Sequence, residues 1–136
     1  MNKIATSLIV IILLTSCKPK LAYKLLVTVE ELDVNGEKNL LEITDTIRQT
    51  NDSLAYFDGS ATFLVYKNSS DLNSYQTSMG RPVSFKVLNA QGDDVRKLLA
   101  ASAIHFIDAY YEEHYIREKP KIEKRKKIML EKMKDN

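Results

Sequence analysis

Residues 24–44 read KLLVTVEELDVNGEKNLLEIT, and the way this run pairs with itself decides the fold. Leu25, Val27 and Val29 alternate with Leu26, Thr28 and Glu30, the two-residue period of a strand, and Asn35-Gly36 interrupts the pattern before Leu41 and Ile43 resume it. A two-residue loop at Asn35-Gly36 would set Val29 against Glu42 and Val27 against Thr44, mixing polar side chains into the apolar face. A three-residue loop of Val34, Asn35 and Gly36, with Gly36 left-handed, instead sets Val29 against Leu41 and Val27 against Ile43. The second register agrees with burial, so an antiparallel hairpin in that register is expected.

Toward the C-terminus, residues 51–73 read NDSLAYFDGSATFLVYKNSSDLN and admit two structures. As strands, an Asp58-Gly59 turn sets Tyr56 against Ala61 and Leu54 against Phe63. As a helix, Asn51 or Asp52 caps the start and Leu54, Phe57, Ala61, Leu64 and Val65 share a face, with Gly59 costing about 1 kcal/mol inside it. Periodicity leaves residues 52–67 open between the two, and the fold class is the same under both. Residues 69–81 are polar and read as surface, with room for a helical turn.

Pro82 opens a further alternating strand with Val83, Phe85 and Val87 on one face, stopped by the turn residues Ala90-Gln91-Gly92-Asp93. Asp93 or Asp94 then caps a long helix whose apolar stripe is Val95, Leu98, Leu99, Ser102, Phe106, Ala109 and Tyr110. Pro120 is expected to break that helix. The remainder restarts as a short basic helix with Ile122, Met129 and Met133 on one side. These elements predict an α+β fold: a small antiparallel sheet, a long helix in the C-terminal half and a basic helical tail.

At the N-terminus, MNKIATSLIVIILLTSCKPK places one lysine, Lys3, before an apolar run that reaches about 11 residues from Ile4 to Leu14. Spanning a hydrocarbon core takes roughly 20 residues, so the run suits a secretory signal rather than a permanent span. Leu14-Thr15-Ser16-Cys17 resembles the lipobox of bacterial lipoproteins. The resemblance covers residues 1–17 only, and no family is recognised for the rest of the chain. It implies that Cys17, the sole cysteine, carries a diacylglyceryl thioether and acyl chains such as palmitate, and becomes the first residue of the mature protein. Lys18 follows it, where an inner-membrane retention signal would have aspartate, so the outer membrane is the expected address over the inner.

The organisation expected is therefore a signal over 1–16, a lipidated tether over 17–22, one α+β domain over 23–117 and a basic tail over 118–136. Removing 16 of 136 residues leaves 120, enough for a core without staples. A single lipidated cysteine leaves no disulfide. Charge is unevenly placed: residues 18–116 hold ten Lys and Arg against fourteen Asp and Glu, a net of −4, whereas residues 117–136 hold nine against four, a net of +5.

The cluster that could carry chemistry is HFIDAYYEEH, residues 105–114. At about 100° per residue, His105 and His114 fall on opposite sides of a helix and cannot chelate together. His105, Asp108 and Glu112 lie along one edge, where they form either a hydrogen-bonded border beside the apolar stripe or part of a metal or acid–base site completed from elsewhere. Tyr110, Tyr111 and Tyr115 offer an aromatic surface or a core rim. The basic run from Lys119 to Lys127 lacks the interleaved aromatics of a nucleic-acid site, and no nucleic acid, metal or cofactor is expected.

The expected function is a membrane-anchored, extracytoplasmic accessory or binding module without catalysis, meeting an envelope protein at the periplasmic or outer face, or inhibiting a secreted protein. The alternatives are a metal-dependent or acid–base hydrolase using His105, Asp108 and Glu112, and a structural tether whose basic tail rests on an anionic envelope surface.

Overall fold

The computed structural model describes residues 18–73 and 80–135. Its elements are β1 (Leu21–Leu32), β2 (Lys38–Gln49), α1 (Asp52–Asn73), β3 (Arg81–Leu88), a single turn α2 (Val95–Leu98) and α3 (Ala101–Lys134). The α+β class is as expected. β1 begins at Leu21, so Leu21 and Ala22 belong to the ladder and not to the tether.

Val29 pairs with Leu41 and Val27 with Ile43, the register of the three-residue loop. Gly36 takes φ +80°, a conformation open to glycine at little cost. The Asp33 carboxylate accepts from the amides of Asn35 and Glu37, each at 2.8 Å, and fixes the turn. The same device recurs after β3, where Asn89 accepts from Gln91 and Asp93 at 3.0 and 2.9 Å and Gly92 takes φ +83°. An Asp or Asn three residues before a glycine thus closes both tight turns of the fold.

The three strands run in the order β2-β1-β3, antiparallel at both seams. β3 therefore reaches the far side of β1 by a crossover through α1, and β1 is the central strand. Along β1 Tyr23, Leu25, Val27 and Val29 are buried while Leu26, Thr28 and Glu30 are half-buried, the alternation of an antiparallel sheet covered on one face. Along the β1–β3 seam the register shifts between Thr28 and Val29. Thr28 faces Ser84 and Val29 faces Pro82, which leaves Val83 as the extra residue of a bulge. This corrects the expected face: Val83 is 39 % exposed while Pro82 is buried beside Phe85 and Val87.

Residues 52–73 are helical, and the reading with an Asp58-Gly59 turn is overturned. The Asn51 side chain accepts from the Leu54 amide at 2.9 Å, a capping bond that only the helix can use. The face turned to the sheet is not the expected one. Leu54 and Val65 are exposed, and Ala55, Tyr56, Gly59, Ser60 and Leu64 are buried. The reason lies at Gly59: a Cβ there would stand 2.5 Å from Val87 Cγ2 and 3.5 Å from both Ile47 and Phe85. The helix turns its slimmest side to the sheet and gains close contact, with Tyr23, Leu25, Val27, Val29, Ile47 and Val87 beneath it.

The long C-terminal helix departs from expectation in three ways. Asp94, rather than Asp93, caps the start by accepting from the Arg96 amide, but the helix it opens ends after Leu98. Leu99 and Ala100 are extended, and α3 begins anew at Ala101. Pro120 does not stop α3, which runs through it to Lys134. Its ring removes the amide that would bond Ile116 but leaves the flanking turns helical. The predicted tail is thus the second half of one helix.

α3 packs on α1 rather than on the sheet. Of the expected stripe, Val95 is buried and Leu99 partly so, whereas Leu98, Ser102, Phe106, Ala109 and Tyr110 are exposed and Ile107 takes the buried place. Among the described residues no helix is long and apolar enough to cross a membrane.

Candidate functional site

The residues expected to carry chemistry do not assemble around one another. Asp108 is drawn toward α1 and α2. Tyr56, 3 % exposed, donates its hydroxyl to Asp108 Oδ1 at 2.7 Å, and Arg96 Nη1 donates to Asp108 Oδ2 at 2.9 Å and to the Tyr56 hydroxyl oxygen. The Tyr56 ring stacks on Phe85 with centroids 5.7 Å apart. Burial, reinforced by the Asp108 carboxylate, pushes the Tyr56 hydroxyl up to about 12, so it stays protonated through the physiological range. Both Asp108 oxygens hold donors, which makes the triangle a clasp joining α1, α2 and α3 rather than a free acid–base pair.

His105 is exposed, and Glu112 is exposed at the rim of a groove of about 460 Å³ between α1 and α3, floored by Phe63, Leu64, Phe85 and Tyr111. Among the described residues no three of His, Cys, Asp and Glu gather to hold a metal ion. Tyr110 and Tyr111 close on Phe57 with centroids 5.5 and 5.0 Å apart, and Lys67 sits 4.0 Å over the Tyr115 ring. The aromatic cluster is chiefly the seam between the two helices. Cys17 lies outside the described residues.

The clasp has a measurable consequence. Tyr56→Phe removes a hydrogen bond to a charged group and should cost about 1.5–3 kcal/mol in urea unfolding, while His105→Ala at its exposed position should stay within about 0.5 kcal/mol. A folded pKa of about 12 above the ordinary value of 10.0 means the contribution of Tyr56 is complete below pH 10. It fades as pH rises from there through 12. Equal losses in the two variants would contradict this division of roles.

The open surface lies elsewhere, on β2. Its inward side chains Leu41 and Ile43 are 49 and 43 % exposed and Leu40, on the other face, is 67 % exposed. A helix is about 10–12 Å across, and strands stand about 4.8 Å apart, so one helix covers little more than two strands. α1 lies mainly on β3, and among the described residues the inner side of the β2 edge stays open. The result is an apolar groove of about 450 Å³ lined by Val27, Val29, Leu41, Ile43, Tyr66 and Pro82. The hairpin register could be read from the sequence; this opening could not, because alternation marks a face without saying how far its cover extends.

The two sheet edges differ. β3 is eight residues long and carries Pro82 and the bulge at Val83, features that discourage strand addition. β2 is twelve residues long and pairs with β1 without a register shift. From the middle of α3 onward, Arg117, Lys121, Lys124 and Arg125 fall within little more than one quarter of the helix circumference, Arg117 and Lys121 being paired to Glu113 and Glu118 at 3.4 and 2.8 Å.

No protein-family model, no curated protein and no solved structure matches this chain.

Proposed function

We propose that the chain is a lipid-anchored, extracytoplasmic binding module of the bacterial envelope, held on the membrane through Cys17 and meeting its protein partner along β2. The observation that supports this reading most is the open β2 edge with an apolar groove beside it. Unpaired backbone groups supply affinity for an added strand, and pockets for alternate side chains supply selectivity. The polar groups best placed for catalysis, Tyr56, Arg96 and Asp108, are occupied with one another, which favours binding over hydrolysis.

The test is site-specific photo-crosslinking in native membranes, with the reactive group placed at Ile43 or at Lys86. Both positions are accessible, the first at the groove and the second on the guarded strand β3. Protein adducts are expected from Ile43 and not from Lys86. Adducts in neither case, or equally in both, would remove β2 as the binding surface.

A further inference from the structure

Resting on the proposed role of β2 in binding, we infer that the strand's partner is the same strand of a second copy, joined antiparallel about Leu40. Asp33 and Glu37 bond across the loop end at 2.9 Å, and the alternation of an antiparallel ladder then directs the odd-numbered residues of β2 toward β1. Lys38, Leu40, Glu42, Thr44 and Thr46 turn their amides and carbonyls outward. The Asp45 carboxylate accepts from the Thr46 amide at 2.7 Å, so the stretch open to pairing is Lys38 to Thr44.

Charge selects the register. Centred on Leu40, the pairing sets Leu40 against its own copy and Lys38 against Glu42 of the second chain, twice over by symmetry. Opposite charges directly across a ladder are favourable and like charges unfavourable. Centred on Glu42, the same strands oppose two carboxylates. Centred on Leu41, they set Leu40 against Glu42 and leave Lys38 facing Thr44. Lys38 already reaches back across the β1–β2 seam to Glu30 at 3.4 Å, with its side chain still 68 % exposed, so Glu42 of the second chain on its other side would continue a row of alternating charge across the sheet. On the inner face the two half-exposed Leu41 side chains become diagonal neighbours, within reach of each other.

The symmetry also suits a chain anchored at its N-terminus. An antiparallel pair has its two-fold axis normal to the sheet. The two molecules would form one six-stranded sheet with every helix on one face. Both Leu21 ends then stand at the same height, about 60 Å apart at roughly 3.4 Å per residue. Two anchors can enter one membrane without bending either domain.

Cysteine placement reads the register directly. In full-length protein from native membranes, Leu40→Cys should oxidise to a disulfide-linked dimer. Paired residues of this type have Cα atoms about 5.5 Å apart, inside the range of about 4.4–6.8 Å that a disulfide requires. Thr44→Cys on the same edge would lie about 27 Å from its copy. It should give on the order of tenfold less dimer because no disulfide spans that gap. The parent chain, with Cys17 alone, sets the background. A second measurement uses charge: Lys38→Glu chains and Glu42→Lys chains should each fail to self-associate and should associate when mixed in detergent. Equal dimer from Leu40→Cys and Thr44→Cys, or no rescue on mixing, overturns the inference. Ile43 adducts that contain a different envelope protein, with Leu40→Cys at background, overturn it as well while leaving the binding role of β2 standing.

Discussion

Gly59→Leu is expected to cost about 3 kcal/mol or more, near the upper end of the range for overpacked cores, and to lower the melting temperature by roughly 15 °C in a domain of this size. Glycine is the weakest helix former apart from proline, and judged by helix propensity alone, leucine or alanine should stabilise α1 by about 1 kcal/mol. Packing opposes this. The first side-chain carbon would lie 2.5 Å from Val87 Cγ2. Val87 is fully buried and, being β-branched, has little rotamer freedom with which to yield. α1 would have to lift off the sheet, opening the contacts of Ala55 and Tyr56, buried at 0 and 3 % exposure. Gly59→Ala should show the same sign at smaller size. Circular dichroism melts of both variants decide the matter, and a Gly59→Ala protein more stable than its parent would show that propensity outweighs the contact.

That glycine also shows where sequence reading stops. In the sequence Gly59 reads as a helix breaker or as half of a hairpin turn with Asp58, and both local readings are sound. Only the position of Val87, in a strand that pairs on the far side of β1, makes a residue without a side chain the one that fits. The hairpin register was legible because it depends on neighbours in sequence: a left-handed Gly36 and an Asp33 that caps the loop. The bulge at Val83 was not, because it arises from the pairing of residues more than fifty positions apart, Val29 with Pro82 and Thr28 with Ser84. Pro120 misled for a related reason. Proline weakens a helix locally, but a 34-residue helix docked on α1 through its first half can continue past the loss of one hydrogen bond.

The candidate sites divide in the same way. Asp108 was legible as a polar residue at the margin of a helix, and its role followed only when α1 and α2 brought Tyr56 and Arg96 to it. Arg96 carried no signal of its own, being one cation in a short capped segment. The open edge of β2 had a faint signal. Glu42, Thr44, Asp45 and Thr46 make it the more polar strand of the hairpin, as an edge strand tends to be, beside the near-continuous apolar run of β1.

On the proposed lipid anchor, Cys17→Ala should strip the acyl chains that hold the protein on the membrane, the largest effect expected of any single substitution in the chain. Acyl chains contribute about 0.8 kcal/mol per buried methylene. One myristoyl chain alone gives reversible attachment with a constant near 10⁴ M⁻¹, and two chains whose free energies add reach on the order of 10⁸ M⁻¹. The apolar stretch before Cys17 is about half the length of a span, so a mature chain that begins at Cys17, as proposed, would be held by lipid alone. Intact mass spectrometry of protein from native membranes supplies the direct measurement. The expected species is residues 17–136 plus two or three acyl chains, absent from the Cys17→Ala variant. An unmodified mass would make Cys17 a free thiol or a residue cleaved away with the signal, and the membrane geometry that suits pairing about Leu40 would lose its basis. The open edge of β2 would remain, but a soluble copy would have to find its partner in three dimensions rather than on a shared surface, and the dimer would then depend on bulk concentration. Oxidation of Leu40→Cys in dilute solution, compared with oxidation in the membrane, separates those two situations.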